Sequence, residues 1–179
     1  PAPVSDSATT PAFPPSDLAS FLAFCAGEWL ALRSTFALGE ATPPSGTDGG
    51  EPQGDEWHSS ERGELHVAYL EGDAAGPGGL AVTPPGAKSP SQTLHFRHDG
   101  AFQTGDRQGQ WLFWPDGSLE LVLHQGTSEI RERIWFTKPN LRLRSSMEHR
   151  SDGTPGRASF SSEIRRVSRP PATAPAGPA

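Results

Sequence analysis

The chain has 179 residues, which fit one domain of ordinary size, and only 34% of them are hydrophobic. Its longest apolar stretch, residues 18–26, is too short to cross a bilayer, so no membrane insertion is expected. The net charge is −6, yet residues 131–169 hold ten Lys and Arg against four Asp and Glu, a local charge of +6. Such a region can attract nucleic acid or an anionic ligand. Because the chain lacks zinc-ligand spacing, aromatic-interleaved basic motifs and a recognition-helix pattern, we expect no nucleic-acid partner.

The use of cysteine points to a reducing compartment. Cys25 is the single cysteine, so no internal disulfide can form. The N-terminus has neither a basic region nor a secretory hydrophobic run, and no signal peptide is expected. These features predict a cytoplasmic protein.

Three segments are rich in Pro and Gly and poor in large apolar residues: residues 1–15, 40–56 and 169–179. Their composition offers little apolar surface to offset the entropy of ordering them. We therefore predict a disordered N-terminal segment over residues 1–15, a mobile loop insertion over 40–56 and a disordered tail over 169–179. Residues 16–168 form the predicted packed domain.

The first predicted element is a short helix. Ser16 is a suitable N-cap, and the negative charge of Asp17 in the first turn interacts favourably with the positive end of the helix dipole. The apolar residues that follow recur at helical spacing, and Gly27 can end the helix. This face comprises Leu18, Phe21, Leu22 and Cys25.

After Gly27 the pattern changes to strands. Tight-turn dipeptides at Asp99-Gly100, Asp116-Gly117 and Asp152-Gly153 separate several of them. About ten antiparallel strands after one helix predict a mainly β fold, a closed or nearly closed barrel, with a sandwich as the alternative. The predicted strands span residues 29–38, 61–70, 80–83, 92–97, 101–104, 109–114, 119–124, 130–137, 141–150 and 157–167.

The strand over residues 130–137 places a carboxylate on an apolar face. Successive side chains alternate, so Glu132 shares its face with Ile130, Ile134 and Phe136. A buried carboxylate can donate a proton or pair with a cation of a ligand. A structural Glu–Arg pair within the sheet explains the pattern equally well.

The next strand alternates leucine with arginine. Arg142 and Arg144 share a face with Asn140 and Ser146, and strand rise puts the two arginines about 7 Å apart. Two guanidinium groups at that spacing suit two carboxylates. A solvated outer face is the alternative. The register of the hairpin decides, because pairing even with even residues brings Glu132 and the arginines together, and a one-residue slip separates them.

Arg33, on the first strand, shares its face with Trp29 and is a candidate third anion contact or a surface residue.

The histidines are scattered and have no cysteine partners, so no metal site is predicted. Cys25 lies on the apolar helix face, where a buried and inert thiol is expected.

Three runs resemble the S-type phycobiliprotein lyases of the CpcS/CpeS kind. The most specific is ERIWFTKPNLRLRSS, residues 132–146, followed by GRASFSSEIR, residues 156–165, and FLAFCAGEWLALRS, residues 21–34. The resemblance implies a lipocalin-like antiparallel β-barrel with one N-terminal α-helix. It also implies that the protein binds a phycobilin, a linear tetrapyrrole such as phycocyanobilin or phycoerythrobilin, and attaches it through a thioether bond to a cysteine of a phycobiliprotein subunit.

Carried over by position, the resemblance implies that Glu132 and Arg142 are catalytic. Glu132 would contact pyrrole nitrogens or assist proton movement, and Arg142 would hold a propionate or ring carbonyl. The resemblance also implies that the client protein supplies the nucleophile, and it leaves open a homodimer or a paralogous lyase partner. A carrier without catalytic activity, or a binder of another hydrophobic acid, remains the alternative. The predicted bilin-binding residues are Arg33, Arg144, Ser146, Asn140 and Trp135.

Overall fold

Ten antiparallel strands follow one helix in the computed structural model, which describes residues 11–38 and 58–167. Each strand pairs with its sequence neighbours, and β1 also pairs with β10, so the sheet closes into a barrel. The predicted barrel is confirmed, and the sandwich alternative is wrong. The elements are α1 Leu18–Phe24, β1 Gly27–Ala37, β2 His58–Glu71, β3 Gly78–Thr83, β4 Gln92–Phe96, β5 Ala101–Thr104, β6 Arg107–Phe113, β7 Leu119–Gln125, β8 Ser128–Lys138, β9 Leu141–Arg150 and β10 Pro155–Arg165.

All ten predicted strands are present, with ends that differ by at most three residues. The three Asp-Gly dipeptides form turns, and each glycine has a positive φ, a backbone conformation that costs glycine little. Gly100, Gly117 and Gly153 therefore explain why the chain reverses where the sequence predicted. The predicted mobile loop over 40–56 and the tail over 169–179 lie outside the described residues, as do residues 1–10.

The helix begins one residue later than predicted. Asp17, not Ser16, is the N-cap, because its carboxylate accepts the backbone N–H of Ser20 at 2.7 Å. The Ser20 hydroxyl lies 3.3 Å from the Asp17 backbone N–H and completes a capping box. The predicted apolar face is buried in the barrel core together with Phe24.

Packing starts ahead of the predicted boundary at residue 16. Pro15 is buried, and the ring of Phe13 lies 5.7 Å from that of Phe24, measured between centroids. The Phe13–Phe24 contact packs this segment against α1. No helix among the described residues is long and apolar enough to span a membrane.

The barrel wall has two chemically different halves. Strands β2 to β8 turn apolar side chains inward, as most barrels do. Strands β1, β10 and β9 reverse this pattern at several positions: Ser161 and Glu163 are buried, whereas Phe160 is 44% and Ile164 is 56% exposed. The interior therefore meets a polar wall on one side and an apolar wall on the other.

Candidate functional site

The barrel encloses a cavity of about 300 Å³, which we call the inner chamber. A second cavity of about 610 Å³ with a more polar lining, the vestibule, continues toward the end of the barrel away from α1. Arg33 and Ile130 line both cavities and mark the junction. The inner chamber is lined by Phe21, Cys25, Arg33, Leu65, Val67, Leu80, Val82, Gln92, Leu94, Phe96, Phe102, Thr104, Leu119, Leu121, Leu123, Ile130, Glu132, Ile134, Arg142, Arg144 and Glu163.

The helix end of the inner chamber is closed by aromatic packing. Phe136 contacts Phe21 and Phe24 edge to face, with ring centroids 5.3 Å and 4.9 Å apart. Phe21 also meets Phe113 at 5.9 Å. At the opposite wall the rings of Phe96 and Phe102 stack at 5.7 Å. These contacts give the chamber an apolar floor and an apolar flank.

The register of β8 and β9 brings the predicted acid and arginines into one space. Glu132 lies opposite Ser146, and Phe136 lies opposite Arg142. This even-to-even pairing depends on an irregularity between Phe136 and Lys138, because Lys138 lies opposite Leu141. Continued from Lys138 without that shift, the pairing would place Glu132 opposite Met147 on the outer face. The bulge at Thr137 therefore turns the arginine row inward.

Glu132 and Arg144 form an ion pair inside the barrel. Nη1 of Arg144 donates to Oε1 of Glu132 at 2.7 Å, and both side chains are 23% exposed. The structure thus contains the Glu–Arg pair that the sequence offered as one interpretation, and it places that pair on a cavity wall. A group in that position is also available to a ligand, so the structural and functional interpretations are compatible.

Glu163 is a central residue of the site that the sequence analysis did not select. It lies opposite Arg142 in the sheet, accepts a hydrogen bond from Arg142 Nε, and is 3.6 Å from Arg144 Nε. Burial alone would raise the pKa of the Glu163 carboxyl, but the guanidinium groups of Arg144 and Arg142 outweigh it and hold the pKa below its ordinary value. Glu163 is therefore a buried carboxylate that fixes both arginines.

Trp29 supports this arrangement from β1. The guanidinium carbon of Arg142 lies 4.6 Å from the centre of the indole, and that of Arg165 lies 4.4 Å from it. The indole N–H donates to the backbone oxygen of Cys25 at 2.9 Å, which ties β1 to the end of α1. Arg142 is thus held between a carboxylate and an aromatic ring.

Arg144 keeps a donor for a further partner. Its Nε is buried and has no hydrogen-bond partner among the described residues, since Glu163 lies beyond hydrogen-bond distance. Burial alone would lower the pKa of the Arg144 guanidinium, but Glu132 and Glu163 outweigh it, so the pKa is raised. A permanent cation with an unsatisfied buried donor suits an anionic or carbonyl group of a ligand.

The charges that line the two cavities do not cancel. Among the described residues, five arginines and three glutamates line these cavities, which leaves an excess of two positive charges in a protein whose net charge is −6. The arginines are Arg33, Arg142, Arg144, Arg150 and Arg157, and the glutamates are Glu132, Glu148 and Glu163. The interior is thus complementary to an elongated ligand with two acidic groups.

Comparison with known proteins shows the family of the chain. A family model described as CpeS-like protein matches residues 71–166. A protein of Paulinella chromatophora named chromophore lyase CpcS/CpeS 1 is 41% identical over 162 residues, which cover 89% of this chain and 94% of that protein. The chain belongs to the CpcS/CpeS chromophore lyase family.

Two further CpcS/CpeS proteins extend the comparison. Chromophore lyase CpcS/CpeS 2 of Synechococcus sp. (strain JA-3-3Ab) is 36% identical over 95 residues, 52% of this chain and 50% of that protein. The S-type phycobiliprotein lyase CPES of Guillardia theta has a similar fold, with a TM-score of 0.58 at 19% identity over 83% of this chain and 92% of that chain. The similarity of the solved structure concerns the fold alone.

The CpeS-like match contains most of the arginine and glutamate cluster. Glu132, Arg142, Arg144 and Glu163 fall inside residues 71–166. Arg33 and Trp29 precede the matched region and reach the cluster because the barrel closes β1 against β10. Nε of Arg33 donates to Ser161 Oγ at 3.2 Å. Arg33 is exposed, but it lies within the closed barrel wall and not on a strand edge, so its role as an anion contact stays a prediction.

Two residues predicted to bind the ligand lie elsewhere in this CpcS/CpeS protein. Trp135 alternates with the inward-facing Ile134 and Phe136, so it lies on the outer face. Asn140 is exposed in the β8–β9 turn at the closed end, where its backbone oxygen accepts the N–H of Arg165 at 3.0 Å. Neither lines a chamber, and we correct both assignments on this ground. Ser146 lines the vestibule, and its contact with a ligand stays a prediction.

Glu163 was missed for a recognisable reason. On β10 the residues Phe160 and Ile164 form the apolar face, and the usual rule turns such a face inward. The structure turns it outward. The quoted run GRASFSSEIR contained the signal, because its other face carries Ser161, Glu163 and Arg165.

Proposed function

We propose that this protein is a phycobiliprotein lyase that binds a phycobilin in its barrel and attaches it by a thioether bond to a cysteine of a phycobiliprotein subunit. The observation that carries this proposal is the excess of two positive charges among the described residues that line the cavities, together with the apolar side chains of the inner chamber. A phycobilin has two propionates on a long conjugated body. The polar wall suits the propionates, and the apolar wall suits the pyrrole rings.

The reaction needs a thiol from the client. Cys25 is 1% exposed, and burial raises the pKa of its thiol although Arg142 acts in the opposite direction. A protonated, buried thiol is a poor nucleophile. The client cysteine therefore adds to the bilin, and the lyase accelerates attachment by holding the pigment in one geometry and excluding competing additions.

We assign roles to the residues of the inner chamber on this basis. Glu132, oriented by Arg144, contacts the pyrrole nitrogens and holds or moves a proton there. Arg144 offers its unsatisfied Nε to a propionate or ring carbonyl. Arg142 lines the chamber but is 1% exposed and bonded to Glu163, so its main task is to keep the cluster in place.

Reconstitution tests the proposal. The purified protein is mixed with phycocyanobilin or phycoerythrobilin and a panel of apo-phycobiliprotein subunits, and covalent product is followed by absorbance and mass. Faster or cleaner attachment than in the reaction without lyase is expected for at least one client. Bilin binding with no gain over the spontaneous reaction would leave a carrier, and no change in the pigment's long-wavelength absorbance would exclude bilin as the ligand.

We also propose that the protein acts in the cytoplasm, as its single cysteine suggests.

We propose further that a second copy of the protein binds to the outer face of β1, β10 and β9. On this face Leu32, Met147, Phe160 and Ile164 are 45%, 37%, 44% and 56% exposed. Exposed apolar patches of this kind mark interaction sites. β10 lies between β1 and β9, so a two-fold axis along β10 would set β1 of one copy over β9 of the other.

A further inference from the structure

The two cavities are stacked along the barrel. Three residues of β8 show this: Ile134 lines the inner chamber, Ser128 lines the vestibule, and Ile130 lines both cavities where they meet. Six residues separate Ile134 from Ser128, which corresponds to about 20 Å of strand. A linear tetrapyrrole has four rings in a row, and a chamber of about 300 Å³ is at the small end of ligand pockets. A bound bilin must therefore extend from the inner chamber into the vestibule.

The junction and the vestibule carry the cations that face the middle of such a ligand. Arg33 lines both cavities, and Ser161 accepts only one of its five N–H donors. Arg150 and Arg157 line the vestibule, where Glu148 lies 3.7 Å from Arg150. The propionates of a phycobilin are on its two middle rings. Pairing them with Arg33 and its neighbours leaves one terminal ring in each cavity.

The access of a client thiol to the barrel interior determines which terminal ring of the bilin lies in which cavity. Phe21, Phe24 and Phe136 close the helix end of the inner chamber, so a thiol on another protein cannot approach from that side. At the other end Arg33, Arg150 and Arg157 remain in contact with solvent. Among residues 11–38 and 58–167, the vestibule end is therefore the open one, and the cysteine of a client reaches a ring that lies in the vestibule.

We propose that the phycobilin binds with its ethylidene-bearing ring in the vestibule and the opposite terminal ring in the inner chamber, with the propionates at the Arg33 junction. This inference rests on the proposed function, since it takes a phycobilin as the substrate. The apolar contacts of Leu94, Phe96 and Phe102 then hold the ring that does not react. The vestibule is the place where the lyase presents the reacting carbon.

The chemistry balances in this orientation. The client sulfur bonds to the exocyclic carbon of the ethylidene group, and the carbon–carbon double bond becomes a single bond. The proton of the thiol ends on the ring carbon of the former double bond. Nothing is oxidised or reduced, and no group leaves.

A bilin that already carries a peptide on its reactive ring tests the orientation. The probe is phycocyanobilin joined through the same thioether bond to a capped, uncharged Ala-Cys-Ala tripeptide, and free phycocyanobilin is the reference. With the reactive ring in the vestibule, the tripeptide projects outward and the Kd stays within about threefold of the reference. A loss of more than about tenfold would overturn the orientation, because the inner chamber cannot hold a tripeptide.

Two matched variants test in which cavity the reactive ring lies. Thr35→Trp narrows the vestibule and should weaken binding of the peptide adduct more than that of the free bilin. Leu94→Trp fills the inner chamber and should weaken both ligands by the same factor. The reverse ranking would place the reactive ring inside and overturn the inference. Failure of free phycocyanobilin to bind the wild-type protein would instead contradict the proposed function.

Discussion

Glu163 and Arg142 lie directly opposite each other on β10 and β9, and each residue is 1% exposed. The arginine Nε donates to the carboxylate, so two opposite charges are buried together inside the barrel. Removing one partner of such a pair leaves the other charge uncompensated, which typically costs about 3–5 kcal/mol. This pair connects the stability of the fold to the shape of the ligand site.

Glu163→Gln is expected to lower the free energy of unfolding by about 3 kcal/mol, because it leaves Arg142 and Arg144 with less buried negative charge. Chemical denaturation monitored by tryptophan fluorescence measures the change. Glu129→Gln is the control, since Glu129 pairs with the half-exposed Arg131 on the outer face and should cost less than about 1 kcal/mol. Equal effects of the two substitutions would contradict a special role for the buried pair.

The same pair predicts how stability changes with pH. The pKa of Glu163 is lowered from its ordinary value of 4.5, so the unfolded chain binds the proton more readily than the folded protein does. Its contribution is present above about pH 4.5 and is lost as the pH falls through the lower, folded-state pKa. Unfolding free energies of wild type and Glu163→Gln should converge on acidification. A constant difference from pH 7 down to the acid transition would show that ionisation of Glu163 is not involved.

The strands were predictable from sequence because their signals are local: alternation within each strand and Asp-Gly turns between several of them. The inward direction of the arginine row was not, because it depends on the bulge at Thr137, which shifts the pairing of β8 and β9 by one residue. The alternation on β10 separates Glu163 from Phe160 and Ile164, but it does not determine which of the two faces is buried. Its strand turns Phe160 and Ile164 outward, and only the closure of β10 against β1 and β9 makes that side the interior.

Glu132→Gln should change the absorbance spectrum of bound bilin more than it changes stability. Its carboxylate pairs with Arg144 at a site that is partly exposed, so the loss of stability should be about 1 kcal/mol. Removal of the negative charge near the pyrrole nitrogens should shift the long-wavelength band. Glu120→Gln on the outer face provides a control with unchanged spectrum. A large loss of thermal stability with an unaltered spectrum would support a purely structural pair.

Arg144→Gln should weaken binding of phycocyanobilin by about 1.5–3 kcal/mol, as expected for the loss of one charge-assisted contact. The dimethyl ester of the bilin, which lacks the propionate charges, should bind the wild-type protein more weakly and respond less to the substitution. Spectroscopic titration of the free bilin and its dimethyl ester with the wild-type protein and Arg144→Gln gives four values of Kd. From these follows the coupling energy between the propionate charges and Arg144. Arg131→Gln is the matched control on the outer face. If Arg144→Gln weakens both ligands equally, the arginine acts on a ring carbonyl and not on a propionate.

Phe160→Glu should convert a dimer to a monomer, because it places a charge at the centre of the outer apolar face, where Phe160 is 44% exposed. Sedimentation over a range of concentrations measures the effect, and unfolding curves confirm that the variant keeps the fold. Leu112→Glu is the control, since Leu112 is 50% exposed on β6, away from the proposed interface. A wild-type protein that stays monomeric at high concentration would contradict the proposed dimer.

In that case a paralogous lyase or the client is the candidate partner for this face. Each candidate is mixed with the wild-type protein and with Phe160→Glu, and a complex that forms only with the wild-type protein identifies the partner.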